Sequence, residues 1–288
     1  MNRKSTGERL RHYRYTWIGA RLIEAPKPAL RALQRRLLDE VLGRVPVHEN
    51  AHGFVPGRSV HTFAAPHAGR AVVVRIDLAA FFPSISVQRV YGLFRAMGYP
   101  EPVAHTLTAL CTTSTPFAVA RSPVLRAPHL PQGAPTSPAL ANLCTFRLDR
   151  RLHGLARSFG ARYTRYADDL AFSGSFAPAG LLDAARRVIA DEGFRVNAAK
   201  TRVRGRGDRQ HLAGLVVNES PAAARAEYDR LRAILHGAAH TGLHAANRTG
   251  HPDFAAHLRG RIEWVGAGRP ARAAKLRELY RAAVATDL

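Results

Sequence analysis

Arg162-Tyr-Thr-Arg-Tyr-Ala-Asp-Asp-Leu-Ala-Phe-Ser173 is the stretch on which the fold turns. Strand-forming residues on both sides of Asp168-Asp169 predict two short strands hinged at the paired acids. Two adjacent carboxylates alone would usually mark a solvated corner. Here the flanks are apolar, and a third acid closes another apolar run upstream, Ala71-Val-Val-Val-Arg-Ile-Asp77. That run predicts a buried strand ending in a carboxylate, followed by a turn and a helix near Val87 to Met97.

Working outward, Pro26 and Pro28 precede apolar residues at Leu30, Leu33, Leu37, Leu38, Val41 and Leu42, the spacing of an amphipathic helix with Arg31, Arg35 and Arg36 on its other face. The run from Pro131 to Pro138 predicts a loop, with Ser137 as N-cap, Pro138 at the first helical position and a helix running towards Gly160. A helix from about Leu181 to Glu192, a strand around Phe194 and another across Leu212 to Val217 are expected next. Beyond about Arg225 the pattern is helical and basic, with Tyr228, Leu231, Ile234 and Leu235 on one stripe and Leu276, Leu279 and Tyr280 on a second. The order strand, helix, hairpin, helix, strand places Asp77 and the Asp168-Asp169 turn on one edge of a small antiparallel sheet backed by helices, an α+β fold.

The 288 residues, 46% of them hydrophobic, are enough to bury a core. Forty-three Lys and Arg against 21 Asp and Glu leave a formal charge of +22, spread along the whole chain. A basic surface of that extent suits a polyanion, nucleic acid before an anionic membrane, because each neutralised phosphate releases counterions. The most apolar stretch, Ala71 to Phe82, contains Arg75 and Asp77 and is far shorter than the ~18 residues a membrane span needs. The opening residues, MNRKSTGERLRHYRY, have no apolar signal core, so a bacterial cytoplasmic protein is expected. Cys111, expected in a loop region, and Cys144, on a helix, lack zinc-site spacing, and the 14 histidines form no HxxxH or HExxH pattern. Both cysteines are expected to be ordinary buried thiols.

Carboxylates brought together from separate segments are what a pair of divalent ions needs. Two magnesium ions about 4 Å apart can acidify an attacking hydroxyl and neutralise a triphosphate. Asp77, Asp168 and Asp169 fit that demand.

Tyr166-Ala-Asp-Asp169 resembles the YxDD box of the reverse transcriptase family, and the chain is similar within it to the bacterial retron enzymes. The resemblance runs nearly end to end. Arg21-Leu-Ile-Glu-Ala-Pro26 and Ala51-His-Gly-Phe-Val-Pro-Gly-Arg-Ser59 resemble the two fingers blocks. Asp77-Leu-Ala-Ala-Phe-Phe-Pro-Ser-Ile85 resembles the first catalytic motif, and Leu130-Pro-Gln-Gly-Ala-Pro-Thr-Ser-Pro138 the template and nucleotide loop. Asn197-Ala-Ala-Lys-Thr201 resembles the lysine motif, and Leu212-Ala-Gly-Leu-Val-Val-Asn218 falls where the primer grip is expected.

The resemblance implies a right-hand polymerase, with fingers and palm over residues 1–225 and a helical basic thumb over 226–288. It implies Asp77, Asp168 and Asp169 as catalytic metal ligands, with the Leu78 carbonyl as an extra one and two Mg2+ ions, for which Mn2+ could substitute. Phe82 would exclude a 2′ hydroxyl on the incoming nucleotide. Gln132 and Gly133 would approach nucleotide and template, Gly133 because nothing larger permits that closeness. Lys200 would neutralise the departing pyrophosphate, and Arg21, Arg58 and Lys27 would hold the triphosphate. Leu212, Ala213 and Gly214 would form the primer grip. The implied partners are a structured noncoding RNA serving as template and primer, its DNA product, deoxynucleotides and an effector or toxin protein, in msDNA synthesis and antiviral defence, with no membrane.

Two segments depart from the retron pattern. An Asn-Ala-x-x-His element is expected after the second block, and this chain has Phe63-Ala-Ala-Pro-His67; a Val-Thr-Gly element is represented by Leu212-Ala213-Gly214. Both are associated in the family with recognition of the cognate RNA. Two alternatives therefore stand beside the retron reading: another defence-associated bacterial reverse transcriptase, and a catalytically silent RNA-binding scaffold.

Overall fold

The structure, a computed structural model, describes residues 12–287. Residues 1–11, most of the opening stretch that lacks a signal core, lie outside the described residues.

Strands β1 (Tyr13–Ile18) and β2 (Arg21–Pro26) form an antiparallel hairpin. Pro26 ends it, and Pro28 opens the helix Pro28–Glu40, where a missing N–H costs nothing. The buried face of this helix is Leu30, Gln34 and Leu37, whereas Leu33, expected inward, is 50% exposed. Gln34 takes the inward position because its amide donates to the Tyr13 hydroxyl (2.9 Å) and the Leu110 carbonyl (2.7 Å). A polar group whose donors are both paired can occupy a core position that hydrophobic spacing alone would give to a leucine, even though the Gln34 Oε1 is left without a partner.

At the centre lies a four-stranded antiparallel sheet in the order β4-β5-β3-β6, with β3 Val72–Asp77, β4 Arg162–Tyr166, β5 Asp169–Gly174 and β6 Arg202–Gly205. Helices Val87–Ala96, Phe146–Ser158 and Pro178–Asp191 back it. Val74, Ile76, Phe94, Leu152, Phe172 and Ile189 are wholly buried between the two layers. Each such side chain contributes about 1.5–3 kcal/mol. This is the expected α+β architecture, with the palm sheet backed by helices.

Several local expectations are corrected. The N-cap of helix Ser137–Cys144 is Thr136, and Ser137 is already helical. No single helix runs to Gly160: the backbone leaves helical geometry at Thr145 (φ −99, ψ 5), whose hydroxyl donates back to Ala141, and Phe146–Ser158 starts anew. Phe194 is not in a strand; only an isolated bridge joins Val196 to Leu78. The fourth strand is β6, whose Arg-Val-Arg-Gly composition carries no apolar signal because it lies exposed at the sheet edge. Leu212–Val217 is not one strand but two, β7 (His211–Leu212) and β8 (Leu215–Val216), folded at Ala213-Gly214, with β9 (Ala222–Ala223) alongside. Cys111 ends the helix Glu101–Cys111 rather than lying in a loop.

After β9 come helices Arg225–Ala246, Phe254–Gly266 and Pro270–Thr286, which bury Leu231, Leu235, Leu258, Ile262 and Leu276 in a core of their own.

Candidate active site

Register brings the acids together. Asp77, last residue of β3, is the partner of Asp169, first residue of β5, and Tyr166 on β4 pairs with the same Asp169. Ala167 and Asp168 therefore form a two-residue turn at the tip of the β4–β5 hairpin. Ala167 sits at φ 54, unusual for a residue with a Cβ, and such a conformation persists only where surroundings enforce it.

Those surroundings are built from distant segments. Arg165, fully buried, donates to the Ala167 carbonyl (3.2 Å), to both oxygens of buried Asp149 (2.8 and 2.7 Å) and to Asn142 (3.0 Å). Tyr163 donates to Asp149 (2.8 Å), and Asn142 donates to the Gly53 carbonyl (2.8 Å). A Cβ on Gly53 would stand 2.7 Å from the Ala167 nitrogen, so the second fingers block can close over the turn only with glycine there. The Leu78 N–H donates to the Asp168 carbonyl (2.9 Å), and the Asn197 N–H to the Asp77 carbonyl (2.7 Å), which tie the first motif to the hairpin and to the lysine motif.

Asp77, Leu78 and Asp168 line a cavity of about 770 Å³, together with Phe82, Gln132, Arg21 and Lys200. Lys200 Nζ is 3.2 Å from Asp77 Oδ2. Burial raises the Asp168 carboxyl above the usual range and the charge of Asp77 raises it further, against the pull of Lys200 and Arg21. Asp169 is also raised by burial, and Arg75 opposes the shift. Arg75, which the sequence reading passed over, donates to both Asp169 oxygens at 2.8 and 3.0 Å. Among the described residues no three acidic, histidine or cysteine side chains gather closely enough to hold a metal ion, and Asp169 is paired with Arg75. The donor set of Asp77 and Asp168 fits a hard divalent cation: a buried and a half-buried carboxylate share one cavity, and their mutual repulsion is what a bound cation relieves.

The remaining residues divide. Phe82 stands in the cavity beside Phe81 and Phe54, with ring centroids 5.5 and 6.2 Å away. The Gln132 backbone pairs with Glu24 on β2. Gly133 (φ 133) owes its identity to the same strand, because a Cβ there would meet the Glu24 carbonyl and Ile23 at 3.2 Å. Arg58 is not among the cavity-lining residues; it donates to the carbonyls of His48 (3.1 Å) and Glu49 (2.9 Å) and holds that loop. Lys27 caps the helix Pro28–Glu40, also outside the cavity lining. Leu212 is buried and Ala213-Gly214 turns beside Trp264, outside the lining of the cavity.

His67, in the segment associated with RNA recognition, is fully buried and spans the hairpin from behind, 2.7 Å from the Ser173 hydroxyl and 2.8 Å from that of Thr164. Burial lowers its pKa to about 3, so it is neutral and structural. The Cys111 and Cys144 thiols are both pushed up to about 12 by burial and are inert. Among the described residues no helix is long and apolar enough to cross a membrane.

Comparison with known proteins identifies the family. The chain is 47% identical over 283 residues to the Retron Mx65 reverse transcriptase of Myxococcus xanthus, covering 93% of this chain and 64% of that protein. It is 45% identical over 240 residues to the Retron Mx162 reverse transcriptase of the same organism, covering 75% and 49%. Identity to the Retron Ec86 reverse transcriptase of Escherichia coli is 35% over 219 residues, covering 75% and 64%. The chain thus spans 49–64% of the length of these curated relatives. Residues 17–214 match the family Reverse transcriptase (RNA-dependent DNA polymerase), a span that contains β2, the acidic hairpin and the lysine motif. This chain belongs to the reverse transcriptase family.

Proposed function

We propose that the protein is an RNA-directed DNA polymerase of retron type that extends a 2′ hydroxyl of a cognate noncoding RNA with deoxynucleotides. The observation that carries this is the register pairing of Asp77 with Asp169 and the opening of Asp77 and Asp168 into one cavity with Phe82, Gln132 and Arg21. A scaffold that only binds RNA gains nothing from buried carboxylates facing a polyanion.

Asp77 and Asp168, joined by Asp169 once Arg75 releases it, would hold two magnesium ions, with the Leu78 carbonyl beside them and manganese as a substitute. When bound, the ions would acidify the primer hydroxyl and neutralise charge moving onto pyrophosphate. Arg21 reaches the triphosphate, and Gln132 fixes the nucleotide from a loop held by β2. Phe82 closes the space a 2′ hydroxyl would need. Lys200 Nζ delivers its positive charge or a proton to the departing pyrophosphate. Leu212, Ala213 and Gly214 grip the primer, and the helices beyond residue 225 serve as a thumb along the duplex backbone. The same reading implies a bacterial cytoplasmic complex with the structured RNA, its DNA product and an effector protein, acting in antiviral defence.

Primer extension on an RNA template with magnesium and deoxynucleotides tests the activity. Loss in Asp168→Asn/Asp169→Asn is expected, and undiminished synthesis there would end the assignment. Sequencing of co-purified nucleic acid tests the retron context: one short branched RNA–DNA species is expected, and heterogeneous or untemplated DNA would favour another defence-associated reverse transcriptase.

A further inference from the structure

The cavity that holds Asp77 and Asp168 is lined by three cations, Arg21, Lys200 and Arg121. Lys200 is paired with Asp77. Two of the cations that the family resemblance assigns to the triphosphate, Arg58 and Lys27, do not line it. Arg121 comes instead from the segment between the first motif and the Gln132-Gly133 loop, where no motif draws attention to it.

Its placement is built, not incidental. The Arg121 guanidinium lies 4.2 Å from the ring centroid of Trp17 on β1, and Trp17 itself lines the cavity. The indole is fixed in turn by its N–H, which donates to the Val119 carbonyl at 3.2 Å. Leu22, Ala120 and Leu125 form a small buried cluster beneath the pair. Further along the same segment, Thr115 donates to Glu24 Oε1 (2.7 Å) and His129 Nε2 is 3.0 Å from Glu24 Oε2, all three residues being buried. The segment is therefore stapled to the β1–β2 hairpin from both ends. A guanidinium held over an aromatic ring is anchored without spending its N–H donors, which stay available for bidentate contact with phosphate oxygens.

We infer that Arg121, oriented by Trp17, binds the triphosphate of the incoming nucleotide and so takes the place the resemblance gave to Arg58 and Lys27. The inference rests on the polymerase reading of this cavity. Trp17 is a positioning residue that acts through Arg121.

Steady-state primer extension on an RNA template tests it. Arg121→Ala is expected to raise the KM for deoxynucleotide about tenfold, the weight of one charge-assisted hydrogen bond, with a much smaller change in kcat. Arg121→Lys is not expected to restore it, because a point charge lacks the planar fork of donors. A binding measurement without chemistry separates this from the polymerase reading. Trp17 and Trp264 are the two tryptophans, so Trp264→Phe leaves Trp17 as the reporter. With a dideoxy-terminated primer on an RNA template, titration with deoxynucleotide and magnesium should change Trp17 emission, at about tenfold higher concentration when Arg121→Ala is added. An unchanged midpoint and KM in Arg121→Ala overturn the inference. So does a loss confined to template–primer affinity, which would make Arg121 a template contact. If the unaltered protein extends no primer, the proposed function fails while the titration still decides the role of Arg121.

Discussion

Arg75 holds both carboxylate oxygens of Asp169 at 2.8 and 3.0 Å, from a position two residues before Asp77 on the neighbouring strand. It compensates a buried acid that a cation would otherwise compensate. Arg75→Ala should therefore destabilise the metal-free protein by about 1 kcal/mol, a modest figure because the Arg75 side chain is 31% exposed. Magnesium should then restore more stability to the variant than to the unaltered protein. Melting curves with and without magnesium check this, and equal magnesium shifts in both proteins would place Asp169 outside the cation site.

Acid should weaken the same site early. The carboxyls of Asp168 and Asp169 both titrate above the ordinary value of 3.8 because they are buried. A raised carboxyl favours the fold when protonated, and that contribution is lost as pH rises through its folded value, whereas cation binding requires the ionised form. The magnesium concentration giving half-maximal synthesis is thus expected to climb as pH falls through the weakly acidic range, before ordinary surface carboxylates titrate. A magnesium requirement that stays flat across that range would contradict the burial of these two acids.

Arg165 and Asp149 form a wholly buried ion pair that also carries the Ala167 carbonyl. Asp149→Asn removes one charge and leaves the other without its partner, at a cost of about 3–5 kcal/mol. Denaturant unfolding should register that loss. Because the pair sets the turn bearing Asp168, the folded variant should also need more magnesium for half-maximal synthesis, a change that an equally destabilising substitution in the C-terminal helices would not produce.

Phe82→Val opens the cavity where a ribose 2′ hydroxyl would lie. Discrimination between deoxynucleotides and ribonucleotides should fall by about tenfold or more, as when a pocket wall is cut back by several carbons. Competing the two nucleotides in one extension reaction measures it; unaltered sugar selectivity would reduce Phe82 to a packing residue beside Phe81 and Phe54.

Where backbone pattern and covalent spacing carry the information, the chain could be read directly. The β4–β5 hairpin, the strand ending at Asp77 and the C-terminal helices lie close to where alternation and helical periodicity put them. Reading failed where tertiary contacts override the local pattern. Gln34 occupies a core position because two distant groups accept from its amide nitrogen, and β6 carries no apolar alternation because it is an exposed edge. In the Phe63–His67 segment, which the resemblance associates with RNA recognition, His67 is enclosed behind the hairpin by Ser173 and Thr164. Arg75 and Arg165 could have been noticed as charged residues inside otherwise strand-like runs, since a charge in a buried strand implies a partner.

By itself the sequence determined which acids could meet and in what order the segments follow, because strand pairing obeys a period of two and hairpin turns leave little freedom in register. Which cations face the acids was decided only by the folded chain. An arginine reaches several ångströms from its backbone, and its direction is set by whatever lies beside it: carbonyls for Arg58, a carboxylate for Arg75 and an indole for Arg121.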